Sequence, residues 1–181
     1  IGHAALGEVD AALAEEALYH AAIERVPESR TLHNNTVVDL LAIGSEMLRG
    51  EILYRQAKYD EAYVALRRAI SLEDGLPYDE PWGWMQPVRH ALGALLLEQG
   101  HTDEAEVVFR EDLGLGGQLA RATVHPDNVW ALKGLHDCLK ARGETVEIVQ
   151  LRQRLDLAQA RSDGPIAASC FCAQAATRTV E

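Results

Sequence analysis

Apolar residues recur at intervals of three and four along most of the chain, the spacing of one face of an α-helix. Val9 to Val26 reads as a helix stopped by Pro27, because proline cannot continue a helix and biases the residue before it away from α geometry. Thr36 is placed to cap a second helix running to about Ala57, and Asp60 opens its partner to about Glu73. Pro87 falls in or near the first turn of a helix that ends before Gly100, a position where its missing N–H costs nothing. Thr102 is the expected cap of a helix to Leu113, Asp127 or Asn128 of one to Arg142, and Thr145 of a last one ending near Ser162. Seven helices result, joined mostly by tight turns, and the predicted fold class is all-α. Composition agrees: 27 Ala and 24 Leu stand against ten aromatics, and Ala and Leu head the helix scale while β-branched and aromatic residues lead the strand scale.

The chain is also self-similar. Gly50, Ala62 and Ala69 lie over Gly93, Ala105 and Asp112 at the same offsets, and Leu66 lies over Phe109. Small residues at such points let two helices approach closely, while Leu or Phe fills the space against the next unit. Leu92, Gly93, Gly100, Ala105 and Phe109 together resemble the tetratricopeptide repeat. The resemblance implies a right-handed superhelical solenoid of antiparallel helix pairs within residues 1–162. A partial unit at 1–26 has Gly7 at a turn and Ala12 on the following helix, and fuller units fall at about 36–73, 85–115 and 127–162. In the last unit Leu132, Leu135, Leu139 and Gly143 keep the spacing, but His136 stands where the small residue belongs, and Ile148 and Arg152 replace the usual Ala and Phe. Residues 163–181 form a C-terminal tail. The stretch from Leu76 to Trp82 and the block after it are similar to the C-terminal part of long, uncharacterised bacterial and fungal tetratricopeptide proteins.

The resemblance implies a concave groove lined by the first helix of each pair, with Tyr54, Arg55, His90, Trp130, Lys133 and Asp137 as candidate contacts. Met47 and Glu51 occupy positions where a clamp for acidic chaperone tails needs Lys and Asn, which disfavours that partner. A groove of mixed charge suits a protein or peptide segment held by a few apolar anchors. Between the second and third units lies an oversized connection carrying Trp82 and Trp84, either a wall over the groove or a fastener of the loop to its scaffold. Its acids, Glu73, Asp74, Asp79 and Glu80, are expected in solvent.

Charge and cysteine narrow the function further. Lys+Arg 17 against Asp+Glu 28 gives a net charge of −11, the opposite of the basic surface that grips phosphates, so nucleic acid is an unsuitable partner. The longest apolar run, around Leu95-Leu96-Leu97, falls far short of the ~20 residues a membrane crossing requires. Three cysteines make no secreted disulfide framework, which points to a reducing, cytoplasmic setting. Cys138 sits at core spacing. Cys170 and Cys172 form a Cys-x-Cys pair that can present two thiolates to Zn or Cu, or act as a redox pair; a disulfide across so short a separation is not expected unless the site is catalytic.

Phosphate loops, zinc-protease helices and nucleophile elbows are missing. The sequence therefore favours a noncatalytic protein- or peptide-binding scaffold without cofactor. The alternative is the C-terminal portion of a metal- or thiol-dependent enzyme using Cys170 and Cys172. The opening Ile-Gly-His suggests a fragment of a longer protein, and open solenoid ends suggest a homo-oligomer or packing on a missing N-terminal region.

Overall fold

Helix dominates the structure, a computed structural model that describes residues 1–170, 172 and 173. Among these are eight α-helices, one short 3-10 turn and a two-stranded antiparallel ladder. Phe171 and 174–181, most of the far end of the expected tail, lie outside the described residues. The chain divides into two compact units, Ile1–Val88 and Arg89–Glu181.

The first unit contains α1 (Gly2–Ala5), α2 (Val9–Ile23), β1 (Thr31–Leu32), β2 (Asn35–Thr36), α3 (Val37–Arg55) and α4 (Tyr59–Asp74). The Thr36 hydroxyl accepts from the Asp39 N–H at 3.1 Å, the cap the sequence predicted for α3. Helix α2 stops at Ile23, earlier than predicted, because Arg25 and Val26 already donate in tighter i→i−3 turns ahead of Pro27. The β1–β2 ladder, pairing Thr31 with Thr36 and Leu32 with Asn35, had no sequence signal. It is two residues long on each side, too short to show the alternation by which strands are read.

The second unit contains α5 (Val88–Glu98), which begins at the last residue of the first, then α6 (Thr102–Asp112), α7 (Val129–Ala141) and α8 (Glu147–Gln159), with the 3-10 turn Arg121–Thr123 between α6 and α7. Two caps differ from expectation. Thr102 is already the first helical residue of α6, and His101 precedes it without a side-chain cap bond, since left-handed Gly100 starts the helix at once. Thr145 does not cap α8: the N-cap is Val146, and the Glu144 carboxylate two residues earlier accepts from the N–H groups of Val146 (2.8 Å) and Glu147 (3.3 Å) and is held below its ordinary pKa by them. A carboxylate satisfies two orphan donors at the positive end of a helix, where a hydroxyl satisfies one. Of the two candidates for α7, Asn128 is the cap, accepting from Trp130 N–H at 2.9 Å, while Asp127 pairs with Arg154 at 2.7 Å.

Close helix approach is set by glycine against a large apolar side chain. A Cβ on Gly50 of α3 would lie 2.7 Å from Leu66 Cγ of α4, and one on Gly93 of α5 would lie 2.5 Å from Phe109 Cζ of α6. Gly134 of α7 meets the same Phe109 ring, which is fully buried. The turns that follow α3, α5 and α7 each carry one left-handed residue at equal intervals: Ala57 (φ 60°), Gly100 (φ 80°) and Gly143 (φ 69°). Ala57 alone of the three adopts that conformation with a Cβ.

Candidate functional site

The third helix pair departs from this packing, and a cleft opens there. His136 and Arg152 stand one turn interval beyond Gly93 and Phe109, so an imidazole and a guanidinium replace the glycine and the aromatic ring that close α5 on α6. An open cleft of about 400 Å³ lies between α7 and α8, lined by His136, Ile148, Val149, Arg152 and Gln153, with a surface that is almost wholly apolar. His136 Nδ1 is buried and meets no hydrogen-bond partner among the described residues; Asp137 Oδ1 is 3.7 Å away, beyond hydrogen-bond reach. Arg152 donates from Nε to Asp156 Oδ1 at 2.6 Å, which leaves its terminal N–H groups pointing to no acceptor among the described residues. Val149 is 60% exposed at the mouth. The cleft can take an aliphatic side chain and offers polar groups at its edge to a carbonyl or carboxylate.

A charge network holds α8 in place beside it. Arg110 of α6 donates from Nε to Glu106 (2.8 Å) and from both terminal nitrogens to Glu147 of α8 (2.8 and 2.6 Å), a two-point fork. The fork raises the Arg110 pKa and lowers that of Glu147. Arg142 adds a second cation on Glu106, which is 9% exposed, and a longer contact to Asp103 at 3.5 Å.

A second polar constellation is interior. Asp112, the last residue of α6, is 1% exposed and sits where the equivalent position of α4 is Ala69. Its carboxylate lies 2.9 Å from His90 Nε2 of α5 and 2.8 Å from His125 Nδ1, and its carbonyl accepts the His125 N–H at 2.6 Å. An ionised carboxylate only accepts, so both rings present N–H to it. Burial pushes the Asp112 carboxyl up, the bonds from His125 and His90 outweigh that, and the net direction is down. The arrangement pins the connection between α6 and α7 to the two helices before it.

The predicted groove residues fall as follows. In the first unit Tyr54 is buried in an aromatic cluster with Tyr59 and Tyr63, and Arg55 stacks on its ring at 5.1 Å. In the second, His90 is buried against Asp112, Trp130 is half-buried in the first turn of α7, and Lys133 pairs with Asp137 one turn on. Trp84 packs across the α3 glycine Gly44, where a Cβ would meet its ring at 3.2 Å, and its indole N–H is buried without a partner among the described residues. Trp82 remains 39% exposed. Asp79 corrects an expectation: it is buried, not solvated, because it accepts from Asn34 N–H (3.3 Å), Asn35 Nδ2 (3.3 Å) and Glu80 N–H (3.1 Å) and ties the loop to the β1–β2 hairpin.

The cysteines correct another. Cys170 and Cys172 are joined as a disulfide, their Cα atoms 5.3 Å apart, within the span that a disulfide bridges. Paired in this way they offer no thiolate; Zn or Cu would require the reduced form. Cys138 is fully buried, and burial pushes its thiol up to about 12.

Sequence reasoning missed the Asp112 constellation and the role of Gly134. The signal for Asp112 was present, since a carboxylate aligned with Ala69 calls for a buried partner, but nothing in the spacing named His90 and His125 as that partner. Comparison with protein families, curated proteins and solved structures finds no match. No helix among the described residues is long and apolar enough to cross a membrane.

Proposed function

We propose that the chain is a noncatalytic binding scaffold, a tetratricopeptide-like array of helix pairs that takes a peptide or protein segment. One observation carries this reading: the α7/α8 cleft lies where the glycine and aromatic packing of α5 on α6 gives way to His136 and Arg152. Filling it with a bound aliphatic side chain removes exposed apolar surface from water, and the edge groups select a segment whose carbonyls accept from Arg152. Trp130, Lys133 and Asp137 on α7 stand ready for further contacts in the second unit, and Tyr54 and Arg55 belong to the first.

Selection of a displayed random peptide library against the whole chain tests it. Peptides recovered on the wild type lose binding at least about tenfold on Val149→Asp, since a charge at the mouth must be desolvated by the incoming side chain. Failure to recover any peptide, or recovery of peptides indifferent to Val149, removes the reading.

The alternative, an enzyme using Cys170 and Cys172, takes its thiol form from the disulfide between them. It requires that a dithiol reductant, itself oxidised to a disulfide, open that bond in the native protein, and that the resulting Cys170–Cys172 dithiol then reduce a substrate disulfide and return to its own disulfide. Metal analysis of the reduced chain checks the Zn or Cu form of the same idea.

A further inference from the structure

Two helices present apolar stripes to solvent, one in each unit. On α2, Leu13, Ala14, Ala17, Leu18 and Ala21 are all exposed, with Leu18 65% exposed. The helix is apolar nearly all round, which in a folded protein marks a helix with partners on more than one side. On α8 and its N-cap, Val146, Val149 and Leu157 are 70%, 60% and 63% exposed and, with Gln153, recur at the three- and four-residue spacing of one face.

We infer that α2 of one copy docks on the α7/α8 face of a second copy. This names the partner of the cleft and rests on the binding reading given above. Laid antiparallel, the two faces correspond at four positions: Ala21 falls on Val146, Leu18 on Val149 at the mouth of the cleft, Glu15 on Arg152 and Ala14 on Gln153, while Leu157 falls on Asp10 at the far end. The charge match is specific. Helix α2 carries Asp10, Glu15 and Glu16 and no Lys or Arg, while Arg152 commits only its Nε to Asp156. In this register Glu15 meets the terminal N–H groups that have no acceptor among the described residues, and Leu18 meets Val149 at the mouth of the α7/α8 cleft. Alanines on both sides of Leu18 let the helices approach closely, and antiparallel packing sets the helix dipoles in the favourable sense. The contact is heterologous, joining different surfaces of the two copies.

Sedimentation velocity on the whole chain across a concentration series tests it. The wild type associates reversibly. Leu18→Glu and Val149→Glu each weaken association at least about tenfold, both residues being surface side chains whose replacement leaves the far-ultraviolet circular dichroism unchanged. An equimolar mixture of those two variants forms a dimer, because each retains the face the other lacks. Glu15→Arg weakens the contact, and Arg152→Glu added to it restores association. A chain that stays monomeric, association indifferent to either stripe, or a charge swap without rescue overturns the inference. Peptide selection on Val149 is read separately, so a monomeric chain that still binds peptides removes the self-docking alone.

Discussion

Replacing Gly134 with alanine separates helix propensity from packing, because the two act with opposite sign at this residue. In an exposed helix interior Gly→Ala stabilises by about 1 kcal/mol. In α7 the new methyl would run into the Phe109 ring, which is fully buried and stands against Gly93 on α5, where a Cβ would come within 2.5 Å of it. With a backbone on either side the ring cannot swing away, and overpacking of this kind costs about 1–3 kcal/mol. The steric cost falls toward the upper part of that range, so Gly134→Ala loses about 1–2 kcal/mol net. Leu66 fills the corresponding space opposite Gly50, so Phe109→Leu supplies the relief: in that background Gly134→Ala becomes neutral or stabilising. Urea denaturation followed by circular dichroism, with all four proteins of the double-mutant cycle, measures this as a coupling of about 1–3 kcal/mol. Stabilisation of the wild type by Gly134→Ala, or coupling below about 0.5 kcal/mol, would refute the packing of Phe109 between α5 and α7.

Three further outcomes follow from the geometry. Ala57→Gly stabilises by about 0.5 kcal/mol, since relief of about 1–2 kcal/mol of left-handed strain exceeds the extra unfolded-state freedom of glycine, while Gly100→Ala and Gly143→Ala each lose about 1 kcal/mol; thermal melts of the three compare them. Because the folded pKa of Asp112 lies below its unfolded value near 4, its contribution is complete above that value and is lost as pH falls through the folded pKa. Wild-type stability therefore drops more than that of Asp112→Asn on acidification below about pH 4, read from denaturation midpoints at stepped pH. Cys138, with its thiol pushed up to about 12, resists a thiol-specific chromogenic reagent in the native protein, and the unreduced chain in denaturant yields a single reactive thiol; fast native labelling would contradict its burial.

The helices were legible in sequence where the signal is local. Thr36 and Asn128 cap the helices that follow them, and Pro27 and Gly100 end or turn the chain, because each acts on backbone groups within about four residues of itself. The glycine-to-Leu66 and glycine-to-Phe109 contacts were legible at one remove, through the repeated offsets of Gly50 and Gly93. At the start of α8, where Thr145 was expected, the Glu144 carboxylate satisfies two backbone donors that a hydroxyl could not both reach.

Sequence by itself determined that the chain would be helical, where most helices begin and end, and which unit breaks the small-and-large pattern at His136 and Arg152. Tertiary structure alone decided that Asp112 would face His90 and His125, that Arg110 would reach Glu147, that Asp79 would be drawn inside by the β1–β2 hairpin, and that His136 and Arg152 would border an open cleft. The reason is range: capping and propensity are settled within one or two turns, whereas the partner of a buried charge depends on which distant side chain the packed helices bring within about 3 Å.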